Sequence, residues 1–146
     1  IVPIGNGEEL KEDIAAILQS ELSNLISDAT YPTEGMPHPR VYGTFPRLIQ
    51  HFVMEKHILT PEQAVRKMTA LPAKALRLRS KGTIAVDMDA DLCIFDPAQL
   101  RENGDYQHPC RMASGLDAVL VAGEAAVIHD TYTGAQAGTV IRRDTL

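Results

Sequence analysis

The sequence predicts an α/β chain with helices first and a small β part second. Apolar residues recur at helical spacing only within the first 80 residues. Short β-type runs broken by Gly, Asp and Pro fill the remainder. One possible short strand plus four helices makes a poor closed domain, because a strand–loop–helix unit packs beside others of its kind. The chain therefore reads as a piece of a larger α/β protein joined to a small β domain.

The elements follow in order. Asn6, with Glu9 three residues on, forms a capping-box-like start. Leu10, Ile14, Ile17, Leu18 and Leu22 then predict a helix. "SNLIS" (23–27) could end that helix or form a short buried strand. The next stretch, "SDATYPTEGMPHPRVYG" (27–43), holds three prolines and two glycines in 17 residues, so it predicts a loop. A loop that long in a compact domain is more often functional than idle. Thr44 can cap a new helix whose core stripe is Phe45, Leu48, Ile49, Phe52 and Val53. Thr60-Pro61-Glu62-Gln63 is a strong start signal, with Thr at the N-cap, Pro at the first position and Gln at the third. That helix runs to Pro72, and "AKALRL" (73–78) makes one more short helix. From Lys81-Gly82 onward, "GTIAVD", "ADLCIFD", "LDAVLVAG" and "EAAVIHD" read as strands of a small sheet, with a hairpin turning at Gly123-Glu124. "TGAQAGTVIR" adds a Gly-rich bend and a last strand.

Composition narrows the function classes. The 146 residues suffice for one domain with a real core, and 45% apolar with 23% charged residues is ordinary for a soluble globular protein. The net charge of −5 lies wholly after residue 80: nine basic and nine acidic residues balance before it, and five basic face ten acidic after it. Scattered basic residues argue against a nucleic-acid surface. No run of 18 apolar residues suggests a membrane span. Cys93 and Cys110, without a CxxC, read as free thiols in a reducing, cytoplasmic compartment. The opening "IVPIGNGEEL" lacks the basic start and apolar core of a signal peptide. Without an initiating Met it reads as processed or cut from something longer.

Asp28 ends the possible strand and opens the long loop. Catalytic residues of parallel α/β barrels sit at the C-terminal ends of strands, where an Asp can serve as general base or as a metal ligand. The same residue type is also a common turn former. His38 and Arg40 stand in mid-loop, Arg40 presenting a fork suited to a carboxylate; a solvated pair is the plainer reading. Tyr31 and Tyr42 are equally packing candidates. His51, His57, His108 and His129 form no HxH or HExxH, and His51 and His57 read as surface or capping residues. Asp87, Asp89 and Asp91 alternate but lack the Gly and bidentate Glu of a calcium loop, so they read as a solvated turn.

"SDATYPTEGMPHPRVYGTFPRLI", "LTPEQAVRKMTALPAKALRL", "KGTIAVDMDADLCIFDP" and "TYTGAQAGTVIR" together resemble the C-terminal part of the N-acyl-D-amino-acid deacylases, or D-aminoacylases, of the amidohydrolase superfamily. The resemblance runs from about Leu25 to Arg143. It implies the last segment of a metal-dependent (β/α)8 barrel over residues 1–80, with an eighth strand ending at Asp28. It further implies the C-terminal strands of a small β-sandwich over residues 81–146. By resemblance Asp28 acts beside zinc: it takes a proton from the metal-bound water and later gives one to the leaving amine. His38 and Arg40 would shape the pocket for an N-acyl-D-amino acid, with Arg40 toward its carboxylate. Asp87 stands where the family commonly has Gly. The family's HxH motif and later metal-binding residues are absent from this sequence, so the chain is expected to be a fragment that cannot hold the zinc site alone. A dihydroorotase-like or isoaspartyl-dipeptidase-like parent is a narrower alternative. Another is a non-catalytic interaction module, whose exposed apolar stripe Phe45/Leu48/Ile49/Phe52 would favour self-association.

Overall fold

The structure, a computed structural model, describes residues 11–30 and 34–142. The start signal at Asn6 and Glu9, and Tyr31, lie outside the described residues. Among these residues, helix α1 spans Lys11–Gln19 and α2 spans Arg40–Arg47. Helix α2 continues without a break into a π-helical segment, Leu48–Glu55. Helices α3 (Pro61–Met68) and α4 (Ala70–Leu76) follow.

Helix α3 starts where the sequence predicts. Gln63 N–H donates to Thr60 Oγ1 at 3.2 Å, and Thr60 N–H donates to Gln63 Oε1 at 2.9 Å. That closes a capping box with Pro61 at the first position. Pro72 falls in the first turn of α4, where its missing N–H would have had no helical acceptor. Helix α4 ends on Arg77, left-handed at φ 61°, and Leu78 N–H closes on the Ala73 carbonyl at 2.9 Å.

The second helix departs from expectation. It begins at Arg40, inside the segment expected to be loop, and Thr44 is interior rather than a cap: its Oγ1 donates to the Arg40 carbonyl at 2.8 Å. Phe45 stays 42% exposed. In the wide turns of the π-helix, residues five apart align, and Leu48 and Val53 are both buried. The core is Leu48, Ile49, Val53, Leu59, Ala64 and Leu100, none more than 4% exposed. Leu18, Leu25, Phe52, Phe95 and Leu116 pack against it. The stripe expected to lie open for self-association is thus mostly covered from within the chain.

The sheet is an antiparallel meander in the order β1-β2-β3-β4: Leu92–Phe95, Leu116–Val121, Glu124–Ile128 and Thr131–Tyr132. Val121 pairs with Glu124, so the first hairpin turns on Ala122-Gly123, one residue earlier than expected. Both turn residues have positive φ, 50° and 82°, which is the type I′ geometry that matches strand twist. His129 and Asp130, at 44° and 61°, repeat it between β3 and β4.

Two predicted strands, and the strand alternative for residues 23–27, do not form among the described residues. Residues 82–87 leave Ile84 and Val86 each 90% exposed; within 133–142, Thr133 N–H donates to the Ala126 carbonyl at 3.0 Å, one bond beyond β4, but no described strand follows; and in "NLIS" (24–27) Leu25 N–H donates to the Lys67 carbonyl at 3.2 Å, toward a helix. A strand requires a neighbour's ladder, and apart from Thr133 beside β3 no described strand is paired with these segments. The Asp87–Asp91 turn is held by Lys81, whose ammonium meets Asp91 and Asp89. Lys81 holds the Asp91 carboxyl below its ordinary range, the Ser80 hydroxyl and then Lys81 do so for Asp89, and the two carboxylates, Asp91 first, raise the lysine. Asp87 itself is left-handed, φ 66°, which explains why glycine would suit that position.

Two predictions follow from the hairpins. Asn tolerates left-handed backbone better than Ala, so Ala122→Asn should stabilise the chain by about 0.5–1 kcal/mol, read as a higher urea midpoint. Asp130 accepts the N–H groups of Gly115 (3.0 Å) and Leu116 (2.7 Å), and these bonds depress its carboxyl. On acidification the unfolded chain therefore takes up that proton first. The stability from these bonds is complete above the ordinary carboxylate range, about 4, and is lost as pH falls toward the depressed folded value. Asp130→Asn should flatten this acid limb in urea unfolding measured against pH; an unaltered limb would contradict the assignment.

Candidate active site

Helix α3 fixes the approach to residue 28. Lys67 is 4% exposed, and its ammonium donates to the Ser20 carbonyl (2.5 Å), the Ser23 carbonyl (3.0 Å) and Ser23 Oγ (3.0 Å). A buried ammonium is tolerable only with such partners, so the chain leaving α1 is tied to α3 at a fixed height. Leu25 then packs against the core, and the backbone turns at Asp28, left-handed at φ 48°. Asp visits this region more readily than most residues, at a cost that tends to be found at functional positions.

Across the loop, Asp28 Oδ2 meets Arg40 Nη1 at 3.0 Å, with side-chain exposures of 44% and 32%. The two expected site residues are therefore in contact, at the surface rather than deep in packing. Arg40 Nε–H is buried without a hydrogen-bond partner among the described residues. His38, expected to help shape the pocket, does not join this ion pair; its ring meets the backbone N–H of Arg40. Arg40 N–H donates to His38 Nδ1 at 3.0 Å, while the His38 and Pro39 carbonyls accept from Val41, Tyr42 and Gly43. The N-cap residue of α2 is Pro39, whose φ of −53° is already helical and which has no side-chain cap of its own; the preceding His38 ring supplies the acceptor for the first helical N–H instead. With Nδ1 accepting, the ring proton resides on Nε2, which lies 3.1 Å from the Tyr106 hydroxyl.

The far side of α2 is gripped by the segment after β1. Arg47 Nη1 pairs with Glu102 Oε2 at 2.9 Å, and Glu102 N–H donates to Gln50 Oε1 at 2.9 Å. Gly43 faces Glu102 so closely that an added Cβ would lie 2.4 Å from its Oε1. His51 pairs with Glu55 (2.8 Å) and His108 lies 3.4 Å from Asp105. No group of three or more His, Cys, Asp or Glu side chains is placed to hold a metal among the described residues. No described helix is long and apolar enough to cross a membrane.

Sequence reasoning missed Lys67, Glu102 and Tyr106. Lys67 left a signal, since Ala64, Lys67, Met68 and Leu71 share one helix face. Glu102 and Tyr106 lie in a polar stretch without periodicity and left none.

With this geometry in place, the comparisons define the class. The profile of the Amidohydrolase family matches residues 13–127, and the chain belongs to that family. A D-aminoacylase of Alcaligenes xylosoxydans xylosoxydans is 35% identical over 131 residues, covering 90% of this chain and 27% of the relative. The crystal structure of a D-aminoacylase superposes with a TM-score of 0.79 at 35% identity, covering 85% of this chain and 26% of that one. An N-acyl-D-glutamate deacylase from Bordetella bronchiseptica, solved with zinc and a phosphonate inhibitor, gives 0.74 at 32% identity, covering 79% and 24%. The chain therefore spans about a quarter of the length of these relatives.

Losing the ring acceptor frees one N–H of the first turn. His38→Ala should destabilise the chain by about 1 kcal/mol and His38→Asn, which keeps an acceptor, by much less, read by urea unfolding.

Proposed function

We propose that this segment supplies the general base and part of the substrate pocket of an amidohydrolase that cleaves N-acyl-D-amino acids to a carboxylate and a D-amino acid. The observation that carries this reading is the Asp28–Arg40 contact at 3.0 Å, made across the loop between them. Asp28 is accessible, so it can take a proton from the water attacking the amide carbon and return it to the leaving amine. Arg40 brings a guanidinium beside that carboxylate. Its side chain is 32% exposed, so the outer N–H groups of its fork can meet a substrate carboxylate. His38 acts as the support that aims Arg40.

Zinc in such an enzyme would polarise the amide carbonyl and acidify the attacking water. This chain offers it one carboxylate, so the site does not fit a zinc ion by itself, and the remaining ligands belong to sequence that this chain does not carry. In the complete protein, residues 1–80 form the end of a (β/α)8 barrel and residues 81–146 the C-terminal share of a β-sandwich. In support, the described helices end at Leu76 and the strands begin at Leu92. The named relatives are deacylases of N-acyl-D-amino acids, which favours that substrate class over dihydroorotase-like or isoaspartyl-dipeptidase-like parents. Unpaired Cys93 and Cys110 fit a reducing, cytoplasmic setting.

Asp28→Asn in the full-length enzyme should lower kcat by at least about a hundredfold with metal content unchanged. Turnover equal to that of the unmodified enzyme would overturn the assignment and favour a non-catalytic module.

A further inference from the structure

We propose that Tyr106 is a positioning residue for recognition of the substrate carboxylate, acting through His38 on Arg40; this rests on the reading of Arg40 given above. The contacts form an unbroken chain. The Tyr106 hydroxyl lies 3.1 Å from His38 Nε2, His38 Nδ1 accepts Arg40 N–H at 3.0 Å, and Arg40 Nη1 meets Asp28 Oδ2 at 3.0 Å. The two rings also meet edge to face, with centroids 5.1 Å apart at 82°. Because Nδ1 is occupied as an acceptor, the Nε2 proton points at the phenol oxygen, and the hydrogen bond holds the imidazole plane against rotation about its own axis.

Tyr106 is not there to fill the core, since it is 75% exposed. Its own position is nonetheless built. Leu100 is buried among the helices, and Arg101 exchanges backbone bonds with Ser114 at 2.8 and 3.1 Å. Asp105 then accepts the N–H groups of Gln107 (2.8 Å) and His108 (2.6 Å), which closes the turn that carries Tyr106. The Asp105 carboxyl is held below its ordinary range by these same bonds, His108 first. The segment that follows β1 thereby reaches back to the catalytic loop and orients it.

A carboxylate read by Arg40 makes the proposal testable in the full-length enzyme. Removing one hydrogen bond from the chain should cost about three- to tenfold. Tyr106→Phe should therefore raise KM for an N-acyl-D-amino acid by about that factor with kcat within about twofold. The N-acyl-D-amino acid primary amide, which lacks the charge that Arg40 reads, should show no such change. His38→Asn keeps the acceptor for Arg40 N–H but loses the phenol, so it should match Tyr106→Phe, and the double variant should be no worse than either single one. A merely structural role for Tyr106 would shift acid and amide alike, and that result would overturn the proposal, as would an unchanged KM or additive losses. The outcomes separate from the parent reading: if Asp28→Asn abolishes turnover while Tyr106→Phe changes nothing, only the role of Tyr106 fails.

Discussion

Leu100 comes from the strand-bearing part of the chain but is buried among Leu48, Ile49, Val53, Leu59 and Ala64 of the helical part. Burying a leucine side chain contributes about 1.5–3 kcal/mol, and this one does so across the chain's main change of secondary structure. The rest of the arrangement depends on it. With Leu100 seated, the residues just beyond it lie along α2, where Glu102 can meet Arg47 and Gln50 and approach the bare face of Gly43. A side chain on Gly43 would displace that carboxylate. Helix and following segment are therefore fitted to each other at apolar, ionic and steric levels together.

The candidate site inherits its order from this fit. Two anchors act from opposite directions on the two ends of one loop. Lys67 holds the chain that leads to Asp28 by its backbone carbonyls, and His38 with Pro39 holds the start of α2, where Arg40 stands. Neither anchor needs to touch a substrate. Together they bring a carboxylate and a guanidinium into contact while leaving both partly open to solvent. Membership of the Amidohydrolase family gives that pair a chemical context.

Much of this was readable from residue order, for identifiable reasons. Thr60 and Gln63 are local signals, and the capping box they encode formed as read. The nomination of Asp28 and Arg40 came from residue type and resemblance, but their contact is a property of the folded loop. Proline signals a break in mid-segment, but Pro39 stands at the N-cap of α2, where its fixed φ of −53° already suits the helix that follows. Residues 24–27, 82–87 and 133–142 show what strand patterns omit. Alternation records a tendency to be extended, not the identity of the neighbour, and without that neighbour Ile84 and Val86 remain open to solvent. Tyr106 was invisible because one aromatic ring in a polar turn has no period to betray it.

The π-helical segment has a consequence for how this chain tolerates change in length. An α-helix advances about 100° per residue, and the wide turns of residues 48–55 absorb more chain per revolution than ordinary ones. Deleting a single amino acid there would let the backbone relax to the tighter winding, whose larger turn per residue makes up most of the lost rotation. Leu59 and Ala64, which complete the interior downstream, would then stay close to their present azimuth. The spare length held in one short coil thus buffers the interior against a lost codon.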